Sequence, residues 1–558
     1  MWQQVELAET PNWAGAIALQ RFWTHLRTEL QLRTLLYYRL NSCECWFDRL
    51  LGSDNYTALL WNDQEYPHFL RPRQDLDILG VACLKASQHK EVLSALSLML
   101  DQIRSMPVVL QLCEEEDDPS PDLGPAGLIF RLSVELQLLN VLLLPWNFFR
   151  SRAFYAYELF PKVEIIKHIY DKHLTLFPFK LGDLKGHAIQ TTPDNSEPHT
   201  IVEKALNGTF IISGPVWQFL QEFVRHINGS LHLSSEPVIG QTLRYTQVLD
   251  LVRNGTVEIA ASLRPHVRLQ SDNMHVFSYP LVLGDWCTML PMERVLSTNE
   301  ALTRLMQSPI TWLYLVLLYA VHCLVSRIEY LWHRLFHLKK LLIHLALICF
   351  LQAQLSSFFI GPQQENHITD MKQLEKSGLR IMGLRREFYD YPIDMRSRYA
   401  SSFLLQDVFI DMAKHRNKFN STYGYTVTSV KWQLYSEAQK HFRRPLFRYS
   451  QDICVQKLSL FSLILKNNCL YRYQMKAFIL RLHEAGLVHY WYVRSFYVMV
   501  KAGRLHFEDL STSRQVQPIR WSEWQYMLAL YGAGLMVSFV VIVIELTIHY
   551  VNVWLHNL

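Results

Sequence analysis

Three apolar runs constrain the fold of this chain more than any other feature of its sequence. They cover residues 310–325, 341–360 and 526–548. A helix of about 20 apolar residues spans the hydrocarbon core of a bilayer and satisfies its own backbone hydrogen bonds there. The first run is slightly short, and Tyr330 and Trp332 can extend it into the interface. The sequence therefore predicts an integral membrane protein with three transmembrane helices, and a buried core helix is the alternative for each run.

The loop between the first two runs predicts the orientation of the chain. Residues 327–340 carry one acidic side chain, Glu329, and four basic ones, Arg327, Arg334, Lys339 and Lys340. Short basic loops stay on the cytoplasmic side of a membrane. We therefore expect residues 1–308 and 361–523 outside the cell and the tail from residue 551 inside, with the protein in the plasma membrane.

Five glycosylation sequons agree with this orientation, because all of them fall in segments predicted to lie outside. They begin at Asn55, Asn207, Asn228, Asn254 and Asn420. Such tripeptides also arise by chance, so they support the topology without deciding it. Residues 1–23 include Glu6 and Glu9 and lack the apolar stretch of a secretory signal. Either a later span directs translocation, or the sequence begins after its true start, and we favour the second.

The charge and cysteine patterns exclude several classes of protein. Charged residues make up 19% of the chain, against about 25% in typical soluble proteins, and the basic residues form no block that would indicate a nucleic-acid partner. No zinc spacing and no cofactor motif occurs. Disulfides outside the cell are possible, but their connectivity cannot be read from the positions alone. The nine cysteines are Cys43, Cys45, Cys83, Cys113, Cys287, Cys323, Cys349, Cys454 and Cys469.

The segments outside the apolar runs have the patterns of folded α/β structure. Residues 216–227 have apolar side chains at helix spacing after Gly214 and Pro215, and residues 475–482 repeat that spacing before Gly486. Residues 258–263 form a short apolar run that suits a buried strand. This alternation on both sides of the apolar insert (309–360) predicts α/β domains. Residues 114–127 are acidic and rich in proline, which indicates a solvated linker.

The order of segments resembles the ionotropic glutamate receptor superfamily, and in particular the divergent insect ionotropic receptors used in chemosensation. The resemblance covers about residues 166–550 and rests on short blocks in the family's order. These are Leu-Lys-Gly at 184–186 after Phe177, Gly-Pro at 214–215 with the helix that follows and Asn228, Asn-Gly-Thr-Val-Glu-Ile-Ala at 254–260, Phe-Ser-Tyr-Pro at 277–280, Met-Leu-Pro at 289–291, and Leu-His-Glu-Ala-Gly-Leu at 482–487 before Trp491.

The end of the second apolar run carries the most informative block. Residues 350–358, Phe-Leu-Gln-Ala-Gln-Leu-Ser-Ser-Phe, are similar to the family's gate motif SYTANLAAF, with Ala353, Leu355 and Phe358 identical and Gln354 in place of asparagine. The resemblance implies a pore and gate at this end. Polar side chains in a span face the bundle interior, where they line a pore or join helices by hydrogen bonds. The predicted pore and gate residues are Gln352, Gln354, Ser356, Ser357 and Phe358.

The resemblance implies an α/β plus transmembrane α-helical fold. Its ligand domain would be bilobed, similar to periplasmic binding proteins, and split by the membrane insert. The expected parts are an N-terminal extracellular region (1–165), a first lobe segment (166–308), two transmembrane helices with a short cytoplasmic loop (309–360), a second lobe segment (361–523), a final transmembrane helix (524–550) and a cytoplasmic tail (551–558). A ligand-gated cation channel subunit in a hetero-tetramer with related co-receptor subunits is the implied function.

The chain departs from the family at the place where glutamate receptors hold the ligand carboxylate with an arginine. Ser271 occupies that position, and Arg268 and Arg264 are three and seven residues away from it. Glu437 is near the expected place of the acidic residue that holds the ligand amino group. Arg268, Ser271 and Glu437 are therefore the predicted ligand contacts, with solvated surface charge as the alternative for Arg268 and Glu437. A small molecule other than an α-amino acid, or no direct ligand, is expected.

A second departure concerns conduction. Only residues 327–340 separate the first two runs, which leaves little room for the re-entrant pore helix of the family. A non-conducting ligand-recognition or accessory subunit is therefore the alternative function. His322, His344 and Glu545 are ionisable groups within the runs and are functional candidates for that reason. A membrane enzyme is disfavoured, because the chain has no nucleophile elbow, P-loop, HExxH or zinc motif.

Overall fold

The fold is described from a computed structural model of the chain. It describes residues 13–38, 44–50, 56–61, 77–114, 124–266, 275–297, parts of 300–356, 364–389, 391–511 and 521–556. Of the predicted residues, Asn55, Arg268, Ser271, His322, His344, Gln354, Ser357 and Phe358 lie outside the described residues.

A seven-stranded sheet forms the N-terminal part of the chain, in the order β2-β1-β3-β4-β5-β6-β7. Its first five strands run parallel, and β6 and β7 are antiparallel additions. Parallel strands are covered on both faces and read as continuous apolar runs, as β3 does, since all of its residues are buried. The strands are β1 (Thr34–Tyr38), β2 (Thr57–Trp61), β3 (Ile78–Leu84), β4 (Pro107–Leu112), β5 (Asn140–Leu144), β6 (Ala153–Glu158) and β7 (Glu164–Ile169).

Helices cover both faces of this sheet. Successive strand residues point to opposite faces, so Leu36 and Tyr38 pack with α2 and α3, whereas Leu35 and Tyr37 pack with α1. The helices are α1 (Trp13–Leu30), α2 (His89–Met99), α3 (Pro125–Glu135) and the short α4 (Phe148–Ser151), with 3-10 turns at Trp46–Leu50 and Ala86–Gln88.

A second sheet of eight strands is built from both sides of the apolar insert. Its order is β11-β8-β12-β17-β13-β16-β14-β15. The strands before the insert are β8 (Ala188–Pro193), β9 (Ile201–Lys204), β10 (Phe210–Ser213), β11 (Ser230–Leu233), β12 (Ile259–Pro265) and β13 (Val282–Pro291), of which β9 and β10 form a separate hairpin. Those after it are β14 (Arg380–Leu384), β15 (Phe403–Gln406), β16 (Tyr423–Thr428) and β17 (Phe447–Leu465).

Two long antiparallel strands join the two halves of this sheet. Strand β13 pairs with β17 from Val282 opposite Phe461 to Pro291 opposite Phe447. The last residues of β17 pair with β12, and the later residues of β13 pair with β16. We call β8, β11 and β12 with their helices the first half, and β14, β15 and β16 with theirs the second half.

Each half has its own apolar core. The first half contains α5 (Pro215–His226), α6 (Tyr245–Arg253) and α12 (Arg472–Glu484). The second half contains α10 (Phe409–Asn417) and α11 (Ser429–Gln439), with three shorter helices, α7 (Met371–Ser377), α8 (Arg385–Phe388) and α9 (Ile393–Arg398), and a 3-10 turn at Ala400–Ser402. Helix α13 (Leu487–Lys501) contacts both cores, through Trp491 in the first and Phe496 in the second.

The local predictions for this part of the chain are confirmed. The helix predicted at 216–227 is α5, and the strand predicted at 258–263 is β12. The helix predicted around 475–482 is α12, which ends at Glu484 before Gly486 in the left-handed conformation, with φ of 67°. The mixed α/β class is also confirmed.

The N-terminal sheet is fixed to the first half of the second sheet. Leu139 and Phe160 belong to the first-half core, and Tyr473 packs against the core of the N-terminal sheet. The Asn468 side chain accepts a hydrogen bond from Gln102 N at 2.6 Å and donates one to Asp101 at 3.2 Å. Apolar and polar contacts therefore join these two units, with the second half outside the contact.

One helix among the described residues is long and apolar enough to cross a membrane. Helix α14 (Trp521–His556) has 36 residues, and Tyr531–Val551 meet the length and hydropathy of a span, with none of that stretch buried in the protein. The helix continues through the predicted tail to His556. In the first two apolar runs, the described residues from 312 to 324 and from 342 to 356 are helical, including Gln352 and Ser356, which are exposed.

Disulfides connect positions that the sequence left unassigned. Cys287 of β13 is bonded to Cys454 of β17, and Cys45 is bonded to Cys83. Cys113 is disulfide-bonded as well. Cys323, Cys349 and Cys469 are free thiols. The bond between Cys287 and Cys454 ties together the two strands that join the halves.

We expect the double substitution Cys287→Ser with Cys454→Ser to lower the free energy of unfolding by about 2–4 kcal/mol, because the unfolded chain regains loop entropy. The measurement is the thermal midpoint of the full-length protein in detergent, with Cys323→Ala as the control. An unchanged midpoint in the double variant, or peptide mapping that finds Cys469 bonded in place of Cys454, would contradict the assignment.

Candidate functional site

A cavity of about 540 Å³ lies between the two halves of the eight-stranded sheet. The first half contributes residues that follow β8, the start of α6 and the end of β12. The second half contributes α8, one face of α10, the end of β16 and the start of α11. A cavity between two structural units is a common place for a small-molecule site.

A buried carboxylate organises the first-half wall. Asp194 follows β8 directly, and its side chain is fully buried. One carboxylate oxygen accepts hydrogen bonds from Thr200 Oγ1 at 2.7 Å and Ser196 N at 3.1 Å. The other accepts from Ser262 Oγ at 2.7 Å and Arg264 Nη2 at 3.1 Å. Four donors therefore satisfy Asp194, and its charge neutralises Arg264.

A glycine sets the position of the segment that follows Asp194. Gly214 has a φ of 108°, and a Cβ there would lie 2.5 Å from the carbonyl oxygen of His199. That same oxygen accepts a hydrogen bond at 3.0 Å from Val216 N in the first turn of α5. Only glycine allows this close approach, so the Gly-Pro pair of the sequence holds residues 194–200 against α5.

Helix α10 presents three residues of one face to the cavity. Phe409, Met412 and Arg416 are spaced by three and four positions, which places them on the same side of a helix. The Arg416 side chain is only 3% exposed. Its guanidinium carbon lies 5.7 Å from the Phe409 ring centroid and 5.4 Å from the Tyr435 ring centroid. Aromatic rings therefore hold this cation at the cavity wall.

The start of α11 adds a second cation beside Arg416. Thr428 caps the helix by accepting a hydrogen bond from Lys431 N at 3.3 Å, and Lys431 Nζ crosses to the first half, where it donates to Ser196 Oγ at 3.2 Å. Burial, with the charge of Arg416 as the next cause, lowers the pKa of Lys431 to about 8. Nearby Glu387 and Asp194 act in the opposite direction.

Positive charge dominates the cavity. Among the described residues that line it, Arg244, Arg264, Arg386, Arg416 and Lys431 are basic, and Glu387 is acidic. Glu387 accepts a hydrogen bond from Thr426 Oγ1 at 3.3 Å. Burial raises the pKa of Glu387, and the charges of Lys431, Arg386 and Arg416 partly oppose that effect. Glu197 lies behind the wall and pairs with Arg504 at 3.0 Å.

Two buried histidines also line the cavity. His199 Nδ1 is 3.0 Å from the Tyr492 hydroxyl, and burial together with Lys431 and Arg264 lowers its pKa well below the usual value. His266 follows β12, is 7% exposed, and has no hydrogen-bond partner on either ring nitrogen. Burial lowers the pKa of His266 as well. Both rings are therefore neutral near pH 7, with one donor and one acceptor nitrogen each.

Of the three predicted ligand contacts, Glu437 is among the described residues, and it does not line the cavity. Glu437 lies on α11 outside the cavity and pairs at 2.5 Å with Lys440, which directly follows the helix. Arg264, which is near the predicted position in sequence, lines the cavity. Among the glycosylation sequons, Asn207, Asn228 and Asn254 are exposed and Asn420 is half-buried.

The sequence patterns did not single out Arg416, Lys431, Glu387 or His266. Helical spacing of Phe409, Met412 and Arg416 was the available signal for α10, but such spacing is also typical of an ordinary packed helix. The other side chains converge only through the pairing of β13 with β17. No local sequence motif could have predicted that these side chains lie together.

A second cavity of about 580 Å³ lies against β5 and β6 of the N-terminal sheet. Its walls are mostly apolar and aromatic, and its buried cation is already satisfied: Lys180 Nζ donates to the carbonyl oxygens of Tyr157 at 2.6 Å and Leu139 at 3.1 Å. In the part of the chain that the structure describes, no cluster of three or more His, Cys, Asp or Glu side chains could hold a metal ion.

Comparison with known proteins does not identify the chain: no family model matches it, and no curated protein is significantly similar to it.

We expect Asp194→Asn to cost about 3–5 kcal/mol, because it leaves the Arg264 charge unpaired in a buried network. The single amide oxygen of asparagine also replaces only one of the two carboxylate oxygens, so two of the four hydrogen bonds are lost. Thermal unfolding of the full-length protein measures the loss. Asp407→Asn is the control, since its pair with Arg385 is exposed at the surface and is worth about 1 kcal/mol or less. Equal shifts in the two variants would contradict this role of Asp194.

The lowered pKa of Lys431 predicts a pH dependence of stability. Between pH 8 and the ordinary value of 10.5 the unfolded chain holds a proton that the folded chain has lost, so this group makes stability rise with pH in that window. We expect Lys431→Met to be more stable than the parent at pH 7, with the difference disappearing toward pH 10.5. Thermal midpoints across this range measure the effect, with Lys440→Met as the exposed control. A difference that does not change with pH would refute it.

Proposed function

We propose that the chain is a chemosensory subunit of a ligand-gated cation channel of the ionotropic receptor type, gated by a small molecule other than glutamate. In this proposal the two halves are the lobes of one periplasmic-binding-protein-like domain, and the three apolar runs span the plasma membrane. The subunit works in a hetero-tetramer with related co-receptor subunits. The observation that carries the proposal is a charged cavity between two halves of a single sheet whose strands come from both sides of the insert.

The position of the cavity supports gating by closure of the halves. A ligand that contacts both walls binds more tightly to the closed arrangement, in which both walls reach it, than to the open one. This difference in affinity is the energy available for a conformational change. The charged groups come from both sides, with Arg244 and Arg264 on the first half and Arg416 and Lys431 on the second. Closure on a bound molecule would therefore move one half relative to the other.

The two ends of the insert support transmission of that movement. The chain leaves the domain and returns to it at one place, where Val295 and Gln364 form an antiparallel bridge. Glu293 is 4% exposed and pairs with Arg448 of β17 at 2.6 Å, and Arg448 Nη2 donates to the carbonyl of Ile368 at 3.0 Å. Because this anchor holds both ends, displacement of the second half would pull on the apolar runs.

The second apolar run is the proposed gate helix, with Gln352, Gln354, Ser356, Ser357 and Phe358 at its end. The alternative function is a non-conducting ligand-recognition or accessory subunit, and the short basic loop at 327–340 favours it. Replacement of Gln354 or Ser357 separates the two functions. Altered ion selectivity or gating supports a conducting subunit, and unchanged currents in the complex support an accessory one.

We expect Arg448→Ala to reduce ligand-evoked current about tenfold while ligand binding at the cavity is retained, because the change removes a charge-assisted anchor worth about 1.5–3 kcal/mol. The measurement is voltage-clamp recording from cells that express the chain with candidate partner subunits, normalised to surface protein.

Arg385→Ala is the matched control, since it breaks an exposed arginine–carboxylate pair of the second half that does not touch the insert. Equal currents from Arg448→Ala and the parent would contradict the coupling. The absence of ligand-evoked current in every subunit combination, despite delivery to the surface, would count against the channel itself.

A further inference from the structure

Two of the cations in the second-half wall, Arg416 and Lys431, form no ion pair among the described residues. Arg264 of the first half, by contrast, pairs with Asp194. Arg416 is 3% exposed, its Nε has no hydrogen-bond partner, and the described residues place no carboxylate oxygen within 4.0 Å of it. Its guanidinium lies beside the Phe409 and Tyr435 rings and contacts the Tyr435 hydroxyl. A buried guanidinium without a carboxylate is costly, so the site favours an anion that enters the cavity.

Lys431 completes this anion site. Its Nζ donates to a neutral hydroxyl, Ser196 Oγ, and lies 5.6 Å from the centroid of the Phe409 ring. Both Lys431 and Arg416 are therefore held near the same ring. Burial is the main cause of the lowered pKa of Lys431, and the charge of Arg416 is the next. The start of α11, at which Lys431 lies, adds the partial positive charge of a helix N-terminus.

The charges around the cavity disfavour a ligand ammonium group. Asp194 already accepts four hydrogen bonds, including the one from Arg264. Glu197 pairs with Arg504. Glu387 accepts from Thr426 and experiences the charges of Arg386, Arg416 and Lys431. Since three cations already act on Glu387, a fourth would be repelled by them.

The remaining walls of the cavity suit a ligand with an apolar body that carries one polar atom. Tyr245, Phe277, Trp286 and Phe409 line the cavity. His266 is more than nine-tenths buried, lacks a partner on both ring nitrogens and has its ring centroid 4.3 Å from that of Phe277. A neutral imidazole can donate one hydrogen bond and accept another, so a hydroxyl or carbonyl group of a ligand could meet it.

We propose that the cavity binds a small organic acid that lacks an amino group, with its carboxylate between Arg416 and Lys431 of the second half and its apolar body against the aromatic walls. This inference rests on the proposed function, because it names the ligand class of the same cavity. It differs from the carboxylate site implied by the family resemblance, which belongs to an arginine of the first lobe. Here the first-half Arg264 is already neutralised by Asp194.

Three compounds with one carbon skeleton test the ligand class. They are 3-phenylpropanoate, its neutral amide 3-phenylpropanamide, and phenylalanine, which adds an α-ammonium group to the acid. Binding to the full-length protein in lipid nanodiscs is measured by ligand-observed NMR and titration calorimetry. We expect the acid to bind at least about tenfold more tightly than either of the others, since hydrogen bonds to an ionised carboxylate are stronger than those to a neutral amide.

Variants of the two cations test the position of the carboxylate. We expect Lys431→Met and Arg416→Gln to abolish the preference for the acid over the amide, whereas the charge-retaining Arg416→Lys and Lys431→Arg keep part of it. Lys440→Met is the matched control, because Lys440 is exposed directly after the helix that carries Lys431 and pairs with Glu437. Thermal midpoints show that each variant is folded, and Arg416→Lys keeps the test available if Arg416→Gln does not fold.

Three outcomes would overturn the inference. They are equal or tighter binding of the amide or of phenylalanine, an acid preference that survives both neutral substitutions, and a series of carboxylates from acetate to 3-phenylpropanoate in which none binds more tightly than its amide. The measurement needs no current. A channel that fails to conduct therefore leaves the binding result intact, and a conducting channel that ignores every acid refutes this inference alone.

Discussion

The pairing of β13 with β17 is the interaction on which the rest of the structure depends. These strands come from opposite sides of the apolar insert, and the disulfide between Cys287 and Cys454 joins them covalently. The first half attaches to the end of β17, and the second half attaches to the later part of β13. Without this pair the two segments would share no sheet, and the cavity walls would have no fixed relation. Its register also shifts at Gly284, Trp286 and Cys287, so the regular ladder is interrupted between the halves.

The charge distribution of the cavity follows from how each half satisfies its own buried groups. The first half encloses Asp194 with four donors and uses it to balance Arg264. The second half holds Arg416 against aromatic rings, which lower the cost of burying a cation but do not neutralise it. Arg264 is therefore neutralised within its own wall, whereas Arg416 is not. The difference explains why a ligand of negative charge suits the cavity better than a zwitterion.

Local patterns in the sequence predicted the elements better than the site. Helix α5 and strand β12 follow from apolar spacing together with Gly214 and Pro215, because those signals depend on neighbours within a turn or a strand. Lys431 and Ser196 are 235 positions apart and meet only after β13 and β17 have paired. The predicted Glu437 lies on α11, but on a different side of the helix from the cavity. Neighbouring positions of a helix point in different directions, so a small error in the aligned position selects the wrong side. Helical spacing predicts the side on which a residue lies only when the position of that residue in the helix is known.

The sequence separation between β13 and β17 has a consequence for biosynthesis. Cys287 and Cys454 are 167 positions apart, and the insert at 309–360 is synthesised between them. The first half therefore emerges from the ribosome with the exposed edge of β12 that β17 later covers. Unpaired strand edges promote association with other chains. The eight-stranded sheet is completed only after both apolar runs of the insert have emerged, so this edge of β12 stays unpaired during that interval.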